Sequence, residues 1–196
     1  MPVEQEVHHK VVFENRWIRL IDLIVPAGDT TLLHTHAAAS VVLFLSKSNV
    51  AIQNVRESPV ITHVNPGDVV YRNYDEKPAV HMVWSEDKSV FRCMVVELRQ
   101  PLMSNNCAVL SPGDAKLLLQ QRLLNAYKLN LHESKVYHLV KSACPLLLLT
   151  YSGTYVVNSL GKEQKLKQSE FVFIPALSEA EIRGDQHAES ILIQIR

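Results

Sequence analysis

Gly28-Asp29-Thr30-Thr31-Leu32-Leu33-His34-Thr35-His36 carries two histidines two positions apart, just after the turn residues Pro26-Ala27-Gly28-Asp29. On a strand, residues i and i+2 share a face, with backbones about 7 Å apart. Both imidazoles can then grip one metal at about 2.0–2.2 Å per bond. A third ligand must come from elsewhere, and His81 in Pro78-Ala79-Val80-His81-Met82-Val83 is the best candidate. It follows the turn Asn65-Pro66-Gly67-Asp68, the apolar run 68–72 and a polar loop. Neutral imidazole suits zinc, iron, copper or nickel. The competing reading is a surface strand, and the apolar neighbours Leu32, Leu33, Val80 and Val83 weigh against it.

Outward from this stretch the chain reads as β. Runs rich in Val, Ile, Leu, Tyr and Phe recur between turn signals: 17–25, 41–45, 50–55, 68–72 and 91–98, then 126–131, 146–151, 155–157, 170–174 and 191–195. Short strands at regular spacing indicate a sandwich or barrel. One helix is expected. Ser111 as N-cap, Pro112 at the first helical position and Asp114 in the first turn lead into Ala115–Gln121. The polar stretch 100–106 before it reads as a linker.

The 196 residues hold 20 basic and 20 acidic side chains, so the balance argues against a nucleic-acid binder. At 47% hydrophobic residues the chain can bury a real core. It has no apolar run long enough to span a membrane, which takes about 18 residues, and residues 1–10 are too polar for a secretory signal. Cys93, Cys107 and Cys144 are odd in number and widely spaced. They read as buried free thiols in a reducing, cytoplasmic setting.

Sliding the chain against itself by 106 residues lays 16–25 on 122–131. At an offset of 102, Gly67-Asp68-Val69-Val70-Tyr71 falls on Ser169-Glu170-Phe171-Val172-Phe173. The match is in pattern rather than identity. It predicts two tandem β domains, 1–99 and 122–196, joined by a linker and short helix over 100–121.

Gly28-x5-His34-x-His36-x3-Ser40 resembles the first cupin motif, and Pro66-Gly67-Asp68-Val69-Val70-Tyr71 with His81 resembles the second. The resemblance covers the first half well and the second only in strand pattern, most clearly 170–176. It implies two tandem cupin barrels of jelly-roll, double-stranded β-helix type. It also implies a divalent metal (iron, zinc, nickel or manganese) inside the first, held by His34, His36 and His81. Three departures stand out. Ser40 replaces the motif glutamate, the second motif is three residues longer within 74–78, and Ser85 takes the usual asparagine position. At the offset of 106 Val140, Ser142 and Leu146 replace His34, His36 and Ser40, and Ala180 stands for His81 as the offset falls further, so the second half carries no metal ligands.

Three functions remain open: a metal-dependent, dioxygenase-like enzyme acting on a small oxygen-bearing molecule, a non-catalytic cupin that binds a small ligand or metal, and a scaffold. Ser40 is expected to act beside the metal by positioning water or a substrate oxygen. Tyr71, Arg72 and Glu97 are polar strand residues whose facing the alternation leaves open. Trp17, Met82, Trp84 and Met94 read as packing before pocket wall. His8, His9, His63, His132, His138 and His187 read as surface or structural. A homodimer is expected from the resemblance alone, and neither nucleic acid nor membrane is expected as a partner.

Overall fold

The computed structural model describes residues 1–100, 107, 110, 115–131 and 135–196. It divides into two compact units, Met1–Gln100 and Pro101–Arg196. After a short 3-10 turn at Val3–Gln5, the first unit runs β1 (His9–Glu14), β2 (Ile18–Val25), β3 (His34–His36), β4 (Ser40–Phe44), β5 (Ser48–Asn54), β6 (Val60–Val64), β7 (Val69–Arg72), β8 (Ala79–Ser85) and β9 (Phe91–Leu98). These form a five-stranded sheet, β1-β2-β9-β4-β7, and a four-stranded sheet, β3-β8-β5-β6. Alternate residues of both sheets point inward: Ile21, Leu23 and Val25 from β2, Phe91, Cys93 and Val95 from β9, and Val50 and Val83 from the smaller sheet. At about 25 cal/mol per Å² of apolar area removed from water, such burial is what makes the two sheets face each other.

The second unit repeats this order strand for strand: β10 (Ala115–Gln120), β11 (Leu124–Leu131), β12 (Val136–Leu139), β13 (Leu146–Ser152), β14 (Tyr155–Ser159), β15 (Lys162–Leu166), β16 (Phe171–Ile174), β17 (Ala180–Gly184) and β18 (Ala188–Ile195). Its sheets are β10-β11-β18-β13-β16 and β12-β17-β14-β15. The repeat extends to single bonds. Gly67 N–H donates to Phe44 O at 2.9 Å, and Ser169 N–H donates to Thr150 O at 2.7 Å. Gly67 and Ser169 both take positive φ, 89° and 69°.

Two expectations are corrected. Ala115–Gln120 is strand, not helix; the caps predicted at 111–114 lie outside the described residues. β10 pairs antiparallel with β11, Ala115 opposite Leu129, with a register shift between Leu117 and Leu119. β1 pairs with β2 in the same way, His9 opposite Leu23 and a shift between Val11 and Phe13. The local helix signals gave way to an unpaired edge of β11 that needed a partner. Second, Cys107 and Cys144 form a disulfide across 37 residues, with Cα atoms 5.6 Å apart. Spacing alone cannot reveal such a pair, and its presence removes the cysteine argument for a reducing compartment. Cys93 is free and buried, and burial pushes its thiol pKa up. Among the described residues no helix is long and apolar enough to cross a membrane.

Candidate metal centre

β3 has three residues, with both histidines buried. It pairs with β8 so that His34 lies opposite His81, and His36 opposite Ala79. His34 and His36 share the inward face, as the i, i+2 spacing requires. The His34 and His81 ring centroids are 4.8 Å apart, and those of His36 and His81 are 5.0 Å apart. All three side chains are buried.

A fourth ring completes the cluster. His9, the first residue of β1, lies 4.5 Å from the His34 ring and 6.0 Å from that of His36. Ligand atoms of His9, His34 and His36 all lie within 4.8 Å of one another. Two nitrogens on one metal at about 2.1 Å are at most about 4.2 Å apart, somewhat closer than the spread of this trio. The chain before β1 is tied to the strand it serves: Thr35 N–H donates to Met1 O at 2.8 Å.

Hydrogen bonds orient the rings. His34 Nδ1 meets Leu32 O at 2.8 Å, so Nδ1–H donates and Nε2 is left with its lone pair. That Nε2 is buried and has no partner. His9 Nδ1 donates to Glu6 Oε2 at 2.6 Å. Glu6 also accepts from the backbone N–H of His8 at 3.0 Å and of Leu32 at 3.1 Å. His36 Nδ1 stands 3.6 Å from Glu97 Oε1, just beyond hydrogen-bond range, and is likewise unpartnered.

Burial favours the neutral form, the one that ligates, for His9, His34 and His81. It lowers the His81 pKa to about 3, helped by the charges that His36, His34, His9 and Arg72 would oppose to it. It lowers His9 to about 4, against the raising effect of the Glu6 hydrogen bond. His34 is lowered too, mainly by burial and partly opposed by the Leu32 carbonyl. Burial alone would raise Glu6, yet the bonds from His9, Leu32 and His8 outweigh it and hold its carboxyl below the usual range. Converging buried imidazoles, two of them with orphaned buried nitrogens, fit a divalent metal.

The rings line a cavity of about 50 Å³, together with apolar side chains of both sheets, Arg72 and Tyr74. Tyr74 comes from the lengthened loop and stacks on His36, centroids 5.1 Å apart and planes 21° apart.

No family model matches this chain, and no curated protein sequence does. Solved structures do. One is the cupin 2 conserved barrel domain protein from Leptotrichia buccalis, at 11% identity and TM-score 0.64, covering 96% of this chain and 88% of that one. Another is a salicylate 1,2-dioxygenase from Pseudaminobacter salicylatoxidans, at 10% and 0.63, covering 92% and 71%. A third is the Lactobacillus farciminis oxalate decarboxylase in a formate complex, at 9% and 0.66, covering 93% and 78%. The chain has the cupin fold.

Within that fold the sequence-predicted residues fall as follows. His34, His36 and His81 come together. Ser40 is fully buried, but its Oγ donates to Ala38 O at 2.8 Å, so its proton is already committed. Arg72 and Glu97 belong to the inward-facing set, which the alternation had left open. Met82 and Trp84 line a different hollow, with Gly28 and Lys88, and Met94 is buried.

His9 is the residue that sequence reasoning missed. The sequence reads it, with His8 and His63, as surface or structural. His8 does sit at the surface side, 3.4 Å from Asp29, and exposed His63 bonds Asn49 at 3.0 Å. His138 and His187 are exposed, and His132 lies outside the described residues. The signal for His9 was the repeat itself, which places β1 beside β2 once β10 is seen as a strand.

In the second unit the ladder puts Leu139, not Val140, opposite Ala180. The counterpart of the His34–His81 pair is thus an apolar pair. Val140 lies beyond β12 and is exposed. Leu146 does match Ser40, lying opposite Gln194 and Ile174 as Ser40 lies opposite Glu97 and Arg72. Tyr127, Leu129, Tyr155 and Ile182 are among the side chains that fill this interior, and Tyr155 OH donates to Leu129 O at 2.8 Å.

Proposed function

We propose that the first unit is a metal-binding cupin domain, with His34, His36 and His81 as ligands and His9 as a fourth, and that it acts as a non-haem metal-dependent oxygenase on a small oxygen-bearing molecule. The observation that carries this reading is the convergence of four buried imidazoles on one small cavity. A divalent iron held there would supply redox-active Lewis-acid chemistry, whereas zinc, nickel or manganese would polarise a bound oxygen. The protein's own groups do the rest. Glu6 orients His9, Glu97 stands ready to orient His36, and the apolar walls exclude bulk water. The dioxygenase and decarboxylase among the similar structures support small-molecule chemistry on this fold, but a fold hosts many chemistries. The second unit, its interior filled, serves as scaffold or dimer interface in this reading.

A second reading is a non-catalytic cupin that binds a small ligand or metal. It is favoured by Ser40 standing where the motif has glutamate and by a cavity of only about 50 Å³. Oxygen uptake by the iron-loaded protein separates the two. Consumption above the metal-free baseline with one of a panel of diketones, flavonols, phenols and thiols supports the enzyme. Metal bound stoichiometrically with no uptake on any of them supports the binder.

A further inference from the structure

We infer that the cavity takes a small carboxylate, anchored by Arg72 on one side and by the histidine-held metal on the other; this rests on the metal-centre reading above. Four strands of the larger sheet place Arg19, Glu97, Ser40 and Arg72 in one row. Arg19 lies opposite Glu97, Glu97 opposite Ser40, and Ser40 opposite Arg72. Residues in register on adjacent strands share a face. This face is the cavity's, since Leu23, Cys93, Val42 and Phe44 line it from the same strands at even spacing.

The charges along the row are unequally satisfied. Arg19 Nη1 meets Glu97 Oε2 at 3.3 Å and Glu4 at 3.3 Å, and its Nε meets Glu14 at 2.9 Å. Glu97 turns its other oxygen toward His36. Ser40 is short, neutral and bonded to Ala38, so it brings no charge to the neighbour opposite it. A glutamate here, as the first cupin motif would have it, would set a carboxylate across the ladder from Arg72.

Arg72 lines the cavity and is the single permanently charged side chain among the described residues that do. At the cavity its side chain bonds the hydroxyl of Tyr74, which is neutral and leaves the charge uncompensated. Guanidinium is a planar, doubly donating partner for a carboxylate, and a divalent metal nearby adds to the preference for an anion. The cavity's size admits only a few heavy atoms. The ligand class is therefore a 2-oxo or 2-hydroxy acid of about two to four carbons, its second oxygen free for the metal.

The test is calorimetric binding of pyruvate and its neutral analogue pyruvamide to the zinc-loaded full chain, with zinc content measured alongside. Pyruvate should bind at least about tenfold tighter than pyruvamide. Arg72→Met should weaken pyruvate by about tenfold or more, about 1.4 kcal/mol, leave pyruvamide unchanged and keep the wild-type zinc content. Ser40→Glu should weaken pyruvate without loss of zinc, and Arg72→Lys should retain part of the preference. Equal binding of acid and amide, or wild-type pyruvate affinity in Arg72→Met, overturns the anchor. If Arg72→Met does not fold, wild-type pyruvate affinity in Ser40→Glu overturns it. If the wild type takes up no zinc, the metal reading fails by itself. The same pair of ligands on the metal-free protein then decides the anchor: an acid preference that depends on Arg72 supports it, and no preference ends it.

Discussion

At the residue scale, the centre depends on nitrogens freed by bonds on the opposite side of each ring. His34 donates from Nδ1 to a carbonyl and His9 to a carboxylate, so each offers Nε2. Glu6→Gln should keep the fold near the cluster but weaken the orientation and basicity of His9, lowering metal affinity by about 10- to 100-fold. Competition with a chelator of known affinity measures it. Glu97→Gln should act through His36 in the same direction. The H-x-H pair and His81 were legible because their chemistry rides on local spacing and turn signals. His9 was not, because it opens an edge strand well before its partners along the chain. Only the β1–β2 pairing brings it in. Arg72 and Glu97 were visible as polar strand residues, but strand parity cannot choose a face without the ladder.

At the element scale, the repeat offers a comparison within one chain. The same turn is built with Gly67 at φ 89° and with Ser169 at φ 69°. A side chain in the left-handed region costs about 1–2 kcal/mol, partly offset by the greater freedom a glycine loses on folding. Ser169→Gly should raise stability by about 0.5–1 kcal/mol, and Gly67→Ala should lower it by about 1 kcal/mol. Urea midpoints read both. The offset of 106 holds for β2 and β4 and runs back to β1 and β10, that of 102 holds for β6 and β7, and by β9 and β18 the offset has fallen to 97. Ser-Pro-Gly-Asp looked like a helix start because the same residues that cap helices also open turns. The ladder partner, invisible locally, decided for strand. The repeat also exposes a substitution: the pair Arg19 and Glu97 becomes Asn125 and Gln194, whose amides bond at 2.9 Å. The second unit keeps the geometry of the row and drops its charge.

At the scale of the whole molecule, metal and pH act on one set of buried groups. In the metal-free protein the folded pKa values of His9 and His81, about 4 and about 3, lie below the unfolded value of about 6.5. The unfolded chain therefore binds these protons first. Stability should be full above pH about 6.5 and fall by several kcal/mol as the pH drops toward 4 and then 3. Denaturant midpoints across that range check it, and His9→Phe should flatten the curve. The Cys107–Cys144 bridge belongs to the other unit. Its removal by Cys107→Ser with Cys144→Ser should cost about 2–4 kcal/mol and leave metal content unchanged.

The central claim is that the histidines of the first unit hold a metal. Elemental analysis of the chain purified after growth with iron, zinc, nickel and manganese, beside His34→Ala, tests it most directly. About one metal ion per chain in the wild type and almost none in the variant is the result predicted here. A wild type with no metal, or a His34→Ala that retains it in full, would contradict the account.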